Sequence, residues 1–239
     1  MENSLFIREI TLSKKFCDVD RTVYPYCLHV VNYLDKISLT DRVTFFVGEN
    51  GSGKSTLLEA IAINFGFNPE GGSRNYNFST TDTHSDLYKY LTLVKGTSRP
   101  KDGYFLRAES FYNVATETDS LGLSYGNKSF HEMSHGESFL SLIANRFWGN
   151  GLYILDEPEA ALSPQKQLEL LIWIKKLKEK NSQFIIATHS PILLAFPEAK
   201  IFVLSEKGLE LTPYKETENY MLTKQFLDNP DKMLKYLFE

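Results

Sequence analysis

Cysteine is scarce in this sequence, which has only Cys17 and Cys27 among its 239 residues. So few cysteines exclude the disulfide-dense scaffold of small secreted domains. The two cysteines fit no metal-ligand spacing, and they therefore predict no cysteine-based zinc site. We interpret them as free thiols in a reducing cytosol, and the alternative is one disulfide between them.

Long apolar runs are also missing. No stretch approaches the roughly 20 apolar residues that a membrane-spanning helix requires. The first ten residues, MENSLFIREI, place acidic and polar side chains where a signal peptide has a basic and then an apolar region. These absences predict a soluble, cytoplasmic protein with no membrane partner.

Positive charge is not in excess. The chain has 26 lysines and arginines against 30 aspartates and glutamates, which gives a net charge of −4. No overall basic field therefore indicates nucleic acid or an anionic membrane surface. A local basic patch could still bind DNA, but the net charge of the chain does not indicate DNA as a partner.

The apolar content is sufficient for a large core, since 42% of the residues are hydrophobic. A chain of 239 residues allows one large α/β domain or two small ones. No internal repeat, low-complexity tract or linker divides the sequence. We therefore predict a single domain over residues 1–239.

Residues 48–56, GENGSGKST, fit the phosphate-binding pattern G-x-x-x-x-G-K-[ST]. Residues 42–47 before them are β-branched and aromatic, as in a buried strand, and residues 57–62 after them have a helical pattern. The backbone N–H groups of such a loop and the helix N-terminus would hold an anion. Lys54 would reach the β and γ phosphates, and the Ser55 hydroxyl would bind Mg²⁺. The alternative, a chance glycine-rich turn, is rare at average residue usage.

Hydrophobic patterns predict the other elements. Strands are predicted at residues 5–12, 23–31, 103–108, 152–155, 184–187, 200–204 and 208–211. Residues 71–103, with β-like content only at 86–95, predict a hairpin with long loops. Helices are predicted at residues 138–148, 165–180 and 217–229, and again from residue 230. The side chains expected to face inward are Leu168, Leu171, Ile172 and Leu177 in the second of these helices and Met233, Leu234 and Leu237 in the last. Continuous apolar strands such as 152–155 are typical of a parallel sheet covered on both faces.

Acidic residues follow one of these strands. Asp156 and Glu157 come directly after residues 152–155. Asp156 would hold Mg²⁺, directly or through water, and Glu157 would act as a general base on the attacking water. A solvated charge at the strand end is the alternative for Glu157.

His189 follows the next strand, and parallel-sheet geometry places it beside Asp156, where its imidazole would contact the γ-phosphate. A structural histidine is the alternative there.

A second anion site is predicted in the sequence MSHGE, directly before the helix at 138–148. Ser134 and Gly136 would present a hydroxyl and backbone N–H groups at a helix N-terminus. A capping box formed by Ser134 and Glu137 explains the pattern equally well.

The order of these motifs resembles that of the ABC-type ATPases over residues 40–205. GENGSGKST resembles their Walker A motif, MSHGES their signature, LYILDEPE their Walker B motif with its catalytic glutamate, EAALSP their D-loop, and ATHSP their switch-histidine region. The resemblance implies an α/β P-loop NTPase fold of ABC-ATPase type, with a mainly parallel central sheet and flanking helices. It also implies an antiparallel N-terminal β subdomain, a reduced helical subdomain at about 110–147 and C-terminal helices at about 217–238.

The resemblance further implies ATP and Mg²⁺ as cofactors and a head-to-tail homodimer in the ATP state. The implied catalytic residues are Glu157, His189 and Lys54, and the implied metal ligands are Ser55 and Asp156. The implied ATP-binding residues are Gly48, Asn50, Gly51, Ser52, Gly53, Lys54, Ser55 and Thr56 of one chain, with Ser134 and Gly136 of the second copy.

Two positions depart from the family pattern. His135 replaces the first glycine of the signature, and Glu109 stands where the Q-loop glutamine is expected.

The motifs do not determine which residue contacts the adenine. Tyr24, Tyr26 and Arg8 are the candidates, and a core role is the alternative for the two tyrosines.

The length of the segment before the signature indicates which subgroup of ABC-type ATPases the chain resembles. Only residues 110–133 separate the Q-loop position from the signature, which is less than transporter ATPases usually have, and no sustained heptads indicate the coiled coils of SMC proteins. The chain most resembles small stand-alone bacterial ATPases of the AAA_21 and AAA_15 kind, related to RecF and SMC proteins. We expect an ATPase coupled to an unknown protein partner in a DNA-related, defence or repair process. The alternatives are a nucleotide-dependent scaffold with slow hydrolysis and the ATPase subunit of a transporter.

Overall fold

A computed structural model describes residues 5–73, 84–108 and 135–239, with His135 described by its backbone alone. The strands are β1 (Ile7–Leu12), β2 (Lys36–Ser38), β3 (Val43–Gly48), β4 (Gly72–Ser73), β5 (Leu91–Lys95), β6 (Asp102–Arg107), β7 (Gly151–Asp156), β8 (Gln183–Ala187), β9 (Lys200–Ser205) and β10 (Gly208–Leu211). The helices are α1 (His29–Asn32), α2 (Lys54–Phe65), α3 (His135–Arg146), α4 (Pro164–Glu179), α5 (Pro191–Leu194), α6 (Glu218–Asp228) and α7 (Pro230–Phe238). Short 3-10 helices lie at Lys14–Asp18, Asp86–Lys89, Pro158–Ala161 and Tyr214–Glu216.

The larger of the two sheets in these ranges has the strand order β10-β9-β3-β8-β7-β6-β4. Its five inner strands, from β9 to β6, run parallel. The outer strands β10 and β4 are antiparallel to their neighbours. The predicted mainly parallel sheet is confirmed, and its carboxyl edge carries the ends of β3, β7 and β8 side by side.

The smaller sheet is antiparallel, with the order β2-β1-β5, and it corresponds to the predicted N-terminal β subdomain. The strand predicted at 23–31 is wrong, because these residues form turns and α1. Val30 and Val31 are buried there. Tertiary packing of these β-branched side chains thus outweighs their strand propensity, which depends strongly on context.

One buried side chain connects the two sheets. The Gln183 amide in β8 accepts hydrogen bonds from the backbone N–H groups of Phe6 and Ile7, and it donates to the Ile7 carbonyl. The N-terminal sheet is therefore fixed to a central strand of the parallel sheet by a polar contact within the core.

The helices cover both faces of the parallel sheet. The apolar side chains of α2 pack on one face together with the N-terminal sheet, and those of α3 and α4 pack on the other. The inward face predicted for α4 is partly wrong, since Leu168 and Ile172 are both 54% exposed. Leu177 is buried as predicted, and Gln167, Leu170 and Ile174 are buried as well.

The C-terminal helices were predicted at the correct place, but α7 packs less than expected. Met233 and Leu234 are half-buried, while Leu237 is 69% exposed. The helical subdomain predicted at 110–147 lies largely outside the described residues, within which only α3 belongs to it. No helix in the described ranges is long and apolar enough to cross a membrane.

Candidate functional site

The glycine-rich loop joins β3 to α2, as the sequence predicts. The Lys54 side chain is 4% exposed, and its Nζ donates to the carbonyls of Gly48 (2.9 Å) and Glu49 (3.0 Å). Burial lowers the pKa of the Lys54 ammonium, and the nearby carboxylates of Glu157, Asp156 and Glu159 act in the opposite direction. The lysine is thus held inside the loop, close to three acids.

The N-terminus of α2 is open to an anion. Its N-cap residue, Gly53, has a φ of +95° and no side chain that could cap the helix. A Cβ atom at Gly53 would lie 2.7 Å from Val30 Cγ1, so both the backbone angle and the packing of α1 require glycine. The uncapped N–H groups and the positive end of the helix dipole are suited to phosphate.

Ser55 and Asp156 meet at the carboxyl edge of the sheet. The Ser55 hydroxyl donates to Asp156 Oδ1 at 3.0 Å. A hydroxyl and a carboxylate are hard oxygen donors of the kind that Mg²⁺ prefers, so this pair fits the predicted metal.

Arg107 forms an ionic network behind this pair, and sequence reasoning missed it. Its Nε lies 3.7 Å from Asp156 Oδ2, and its Nη1 lies 2.9 Å from Glu59 Oε2. Glu59 is a buried residue of α2, and it also accepts a hydrogen bond from the Ser85 N–H. No motif in the sequence signals these residues.

Glu157 and His189 lie together beside Lys54. Glu157 Oε1 is 3.9 Å from Lys54 Nζ and 3.4 Å from His189 Nε2, but the second contact is not aligned as a hydrogen bond. The parallel pairing of β7 with β8 brings the strand ends together, because Asp156 is opposite Ala187 and the Glu157 N–H donates to the Ala187 carbonyl. The predicted proximity of the acid pair to His189 is present in the structure.

A cavity of about 580 Å³ opens on this face. Asn50, Gly51 and Ser52 of the glycine loop line it together with His189. Its opposite wall comes from the end of β9 and from α6, including Asn219 and Leu222. The participation of α6 was not predicted, because the recognised motifs end before it.

Of the three adenine-contact candidates, Tyr24 lies beside the loop. Its hydroxyl is 3.1 Å from the Thr56 hydroxyl, and the residue is 60% exposed. Tyr26 instead packs edge-on against Phe16 and Tyr90 in an aromatic cluster. Arg8 is an exposed residue of β1.

Gly136, in the predicted signature, is buried in the first turn of α3. A Cβ atom there would lie 2.7 Å from Lys166 Cδ and 3.1 Å from the Ala161 carbonyl oxygen. The glycine therefore allows close packing against the predicted D-loop of the same chain. Ser134 and Glu109 lie outside the described residues, as does the His135 side chain.

Two further residues contact the backbone of His189: Glu159, which the Walker B-like and D-loop-like sequences contain without an assigned role, and Asn219, which sequence reasoning missed. Glu159 Oε1 accepts a hydrogen bond from the His189 N–H, and Asn219 Nδ2 donates to the His189 carbonyl. Glu159 belongs to the 3-10 helix after β7, and Asn219 belongs to the first turn of α6.

Comparison with known proteins gives a consistent result. Residues 43–101 and 123–195 match the family model described as "AAA domain, putative AbiEii toxin, Type IV TA system". An uncharacterized ABC transporter ATP-binding protein of Haemophilus influenzae is 27% identical over 190 residues, which span 70% of this chain and 71% of that protein. The thiamine import ATP-binding protein ThiQ of Vibrio cholerae is 28% identical over 165 residues, which span 62% and 68%. The structure of cbiO1 from Clostridium perfringens, part of the ABC transporter complex cbiONQ, has the same fold, with 19% identity, a TM-score of 0.53, and coverage of 98% of this chain and 99% of that one.

Proposed function

The chain belongs to the family described as an AAA domain, putative AbiEii toxin, Type IV TA system, and from this premise we propose a Mg²⁺-dependent ATPase whose two copies close head to tail on ATP. It is an ABC-type P-loop ATPase, as the motif order predicted, and it binds and hydrolyses ATP. The metal, the roles of individual residues, the dimer and the partner are the proposed part.

The observation that carries the proposal is the convergence of the glycine loop with Lys54, Ser55 and Asp156 at one edge of the sheet. The loop N–H groups and Lys54 hold the phosphates of the substrate ATP. Ser55 and Asp156 hold Mg²⁺, which when bound neutralises phosphate charge. Tyr24, exposed next to Thr56, packs against the adenine.

Glu157 and His189 act on the far end of the triphosphate. Glu157 accepts a proton from water as the water oxygen attacks the γ-phosphorus, and the bond from that phosphorus to the β–γ bridging oxygen breaks to release ADP. His189 donates a hydrogen bond to the γ-phosphate, and Lys54 stabilises its charge. The 3.4 Å separation of Glu157 and His189 suits two groups that face the same phosphate.

A second copy completes the site. In one copy the side chains of Glu157 and His189 are 37% and 32% exposed, so water has free access to the position of the γ-phosphate. Exclusion of water strengthens the electrostatic interactions of such a site. We assign the covering surface to Ser134 and Gly136 of the second copy, at the N-terminal end of its α3.

Glu157→Gln tests this mechanism. The variant keeps ATP affinity, loses turnover and accumulates a dimer with ATP, measured by nucleotide binding, phosphate release and light scattering after gel filtration. Glu210→Gln, which changes an exposed glutamate on the edge strand β10, is the matched control and behaves as wild type. Normal turnover in Glu157→Gln contradicts the proposed base.

Ser134→Arg tests the second copy. This variant binds ATP but neither dimerises nor hydrolyses it, because Ser134 acts on the nucleotide of the other chain. Wild-type turnover in Ser134→Arg supports the helix-capping interpretation of MSHGE instead.

We further propose that the ATPase is soluble and cytoplasmic, and that it acts with an unidentified protein partner in a DNA-related, defence or repair process. Family membership and the short segment before the signature support this assignment. Linear DNA with free ends is the direct probe, because an ATPase rate that rises when this DNA is added supports the DNA-related process. A very low basal rate with a long-lived ATP dimer instead supports the scaffold alternative.

A transporter ATPase subunit is the second candidate. The relatives from Haemophilus influenzae and Vibrio cholerae are named as transporter ATP-binding proteins, which favours it. A subunit of this kind sediments with membranes when its membrane partner is present and is released when that partner is absent. Fractionation of cells that express the tagged chain at its native level separates the two candidates.

A further inference from the structure

The backbone of His189 is held from two sides. Glu159 Oε1 accepts a hydrogen bond from the His189 N–H at 2.5 Å, and Asn219 Nδ2 donates to the His189 carbonyl at 3.0 Å. Glu159 lies in the 3-10 turn after β7, and Asn219 lies in the first turn of α6. The three residues come from segments about 30 positions apart in sequence, so only the tertiary fold brings them together.

The turn after β7 contacts His189 at both ends of the residue. Glu157 has a left-handed φ of +49°, and Pro158 begins the 3-10 turn directly after it. This geometry sends the Glu157 carboxylate to the imidazole, 3.4 Å from Nε2, and the Glu159 carboxylate to the backbone N–H. The sequence D-E-P-E therefore supplies one acid for the ring and one for the peptide.

Apart from the nearby Glu157 carboxylate, the imidazole ring of His189 has few polar contacts with the residues that the structure describes. Within the described part of the chain, His189 Nε2 is buried and makes no hydrogen bond. The flanking residues are fixed by the fold, because the Thr188 N–H donates to the Phe46 carbonyl and the Ser190 hydroxyl donates to Gln167. Among the described residues, the polar contacts of His189 are thus the Glu157 carboxylate beside its ring and the backbone bonds with Glu159 and Asn219.

The glutamate side chain of Glu159 does not stabilise the turn in which it lies. Its second oxygen, Oε2, is buried and has no hydrogen-bond partner among the described residues. A buried polar oxygen without a partner costs folding free energy, which an apolar residue avoids. The carboxylate also contributes to the negative field at Lys54. A glutamate at this place is thus better explained by the site than by the stability of the turn.

We propose that Glu159 and Asn219 are positioning residues that fix the backbone of His189 on both sides of its Cα and so direct its imidazole to the γ-phosphate. This inference rests on the role given to His189 in the proposed function. Both residues act through the backbone of His189. Loss of Glu159, which does not line the cavity beside the glycine loop, therefore lowers the rate of the chemical step without weakening ATP binding.

Four single variants and one double variant test the proposal. Glu159→Ala removes the acceptor and lowers kcat about 10- to 100-fold, a loss typical of a misplaced catalytic group. ATP binding is no weaker than in wild type, because the lost carboxylate is a negative charge near Lys54. Glu159→Gln keeps an acceptor oxygen for the N–H and retains kcat within about threefold of wild type. His189→Ala lowers kcat, and the double variant Glu159→Ala/His189→Ala is no slower than His189→Ala alone, since coupled residues are not additive.

Hydrogen exchange supplies a readout that does not depend on catalysis. The amide of His189 exchanges faster in Glu159→Ala than in wild type and at the wild-type rate in Glu159→Gln. Asn219→Ala, which changes a residue of α6, lowers kcat in the same manner as Glu159→Ala. It also provides the test if Glu159→Ala does not fold.

The outcomes separate the inference from the proposed function. If His189→Ala lowers kcat while Glu159→Ala and Asn219→Ala do not, the inference is overturned and the proposed function stands. If Glu159→Ala costs the same factor in the His189→Ala background, Glu159 acts independently of His189 and the inference is overturned. If His189→Ala leaves kcat unchanged, the role of His189 fails, and the inference fails with it.

Discussion

Replacement of Gln183 by leucine should destabilise the whole domain. Gln183 is fully buried, and its amide makes three hydrogen bonds to the backbone of Phe6 and Ile7 at 2.8 to 3.0 Å. These bonds tie the start of β1, and with it the N-terminal sheet, to β8. Leucine has a similar volume but no polar atom, so the variant removes the bonds with little change in packing.

The size of the effect follows from the groups that lose their partner. Two backbone N–H groups and one carbonyl lose these bonds, and each buried group left unsatisfied costs about 1–3 kcal/mol. The buried leucine side chain recovers about 1–2 kcal/mol through its apolar surface. We expect a net loss of about 4 kcal/mol in the free energy of unfolding. For a domain of this size that loss lowers Tm by about 8–16 °C.

Urea denaturation followed by circular dichroism measures this loss, and thermal melting gives the change in Tm. The matched control is Gln165→Leu, because Gln165 is an exposed glutamine in α4, where the same substitution should change stability by no more than about 0.5 kcal/mol. A Gln183→Leu variant within about 1 kcal/mol of wild type would refute the reasoning. It would mean that these groups find other partners and that the sheets are joined by apolar packing alone.

Three further changes test the nucleotide site itself. Lys54→Ala should abolish ATP binding in equilibrium dialysis, because it removes the buried ammonium inside the loop; retained affinity contradicts its role. Gly53→Ala should weaken ATP binding at least about tenfold and cost about 1–3 kcal/mol of stability, since alanine is strained at a φ of +95° and its Cβ would meet Val30; unchanged calorimetric affinity and melting contradict this. Tyr24→Ala should weaken ATP binding about tenfold with little change in Tm, because the side chain is 60% exposed, while Tyr24→Phe keeps the affinity; equal affinities in all three proteins exclude stacking.

The phosphate loop and its strand and helix could be predicted from sequence because their chemistry is local. The pattern of glycines in residues 48–56 fixes the turn, and the flanking apolar runs fix the element on each side. The same holds for Asp156 and Glu157, which directly follow an apolar run that forms β7. In each case the deciding neighbours lie within a few residues along the chain.

The inward face of α4 could not be predicted in the same way. Leu168 and Ile172 fit an apolar helical stripe, yet both are 54% exposed, while Gln167 is buried. The Gln167 amide donates to the Leu162 carbonyl and accepts from the Ser190 hydroxyl. These bonds turn a polar side chain inward and rotate the buried face away from the stripe. A hydrophobicity pattern assigns glutamine to solvent, so it cannot detect this.

The residues around the site that the sequence did not signal share one property. Arg107 contacts Asp156 and Asn219 contacts His189 from many positions away in the chain, and Glu59 contacts Arg107. Glu159 lies close to Glu157, but its partner is the backbone N–H of His189, which any residue type offers. A motif describes residues with fixed spacing, whereas these contacts depend on how the elements pack.

Helix α6 extends the candidate nucleotide site beyond the recognised motifs. The recognised motifs end at about residue 205, but Asn219 bonds the His189 carbonyl and Leu222 lines the cavity next to the glycine loop. The buried Thr217 caps α6 through its hydroxyl, so the first turn of the helix is fixed where it meets His189. Any displacement of α6 must therefore break the Asn219 bond or move the His189 peptide. Through this bond α6 is connected to the residue that we propose contacts the γ-phosphate, although no recognised nucleotide-binding motif lies within the helix.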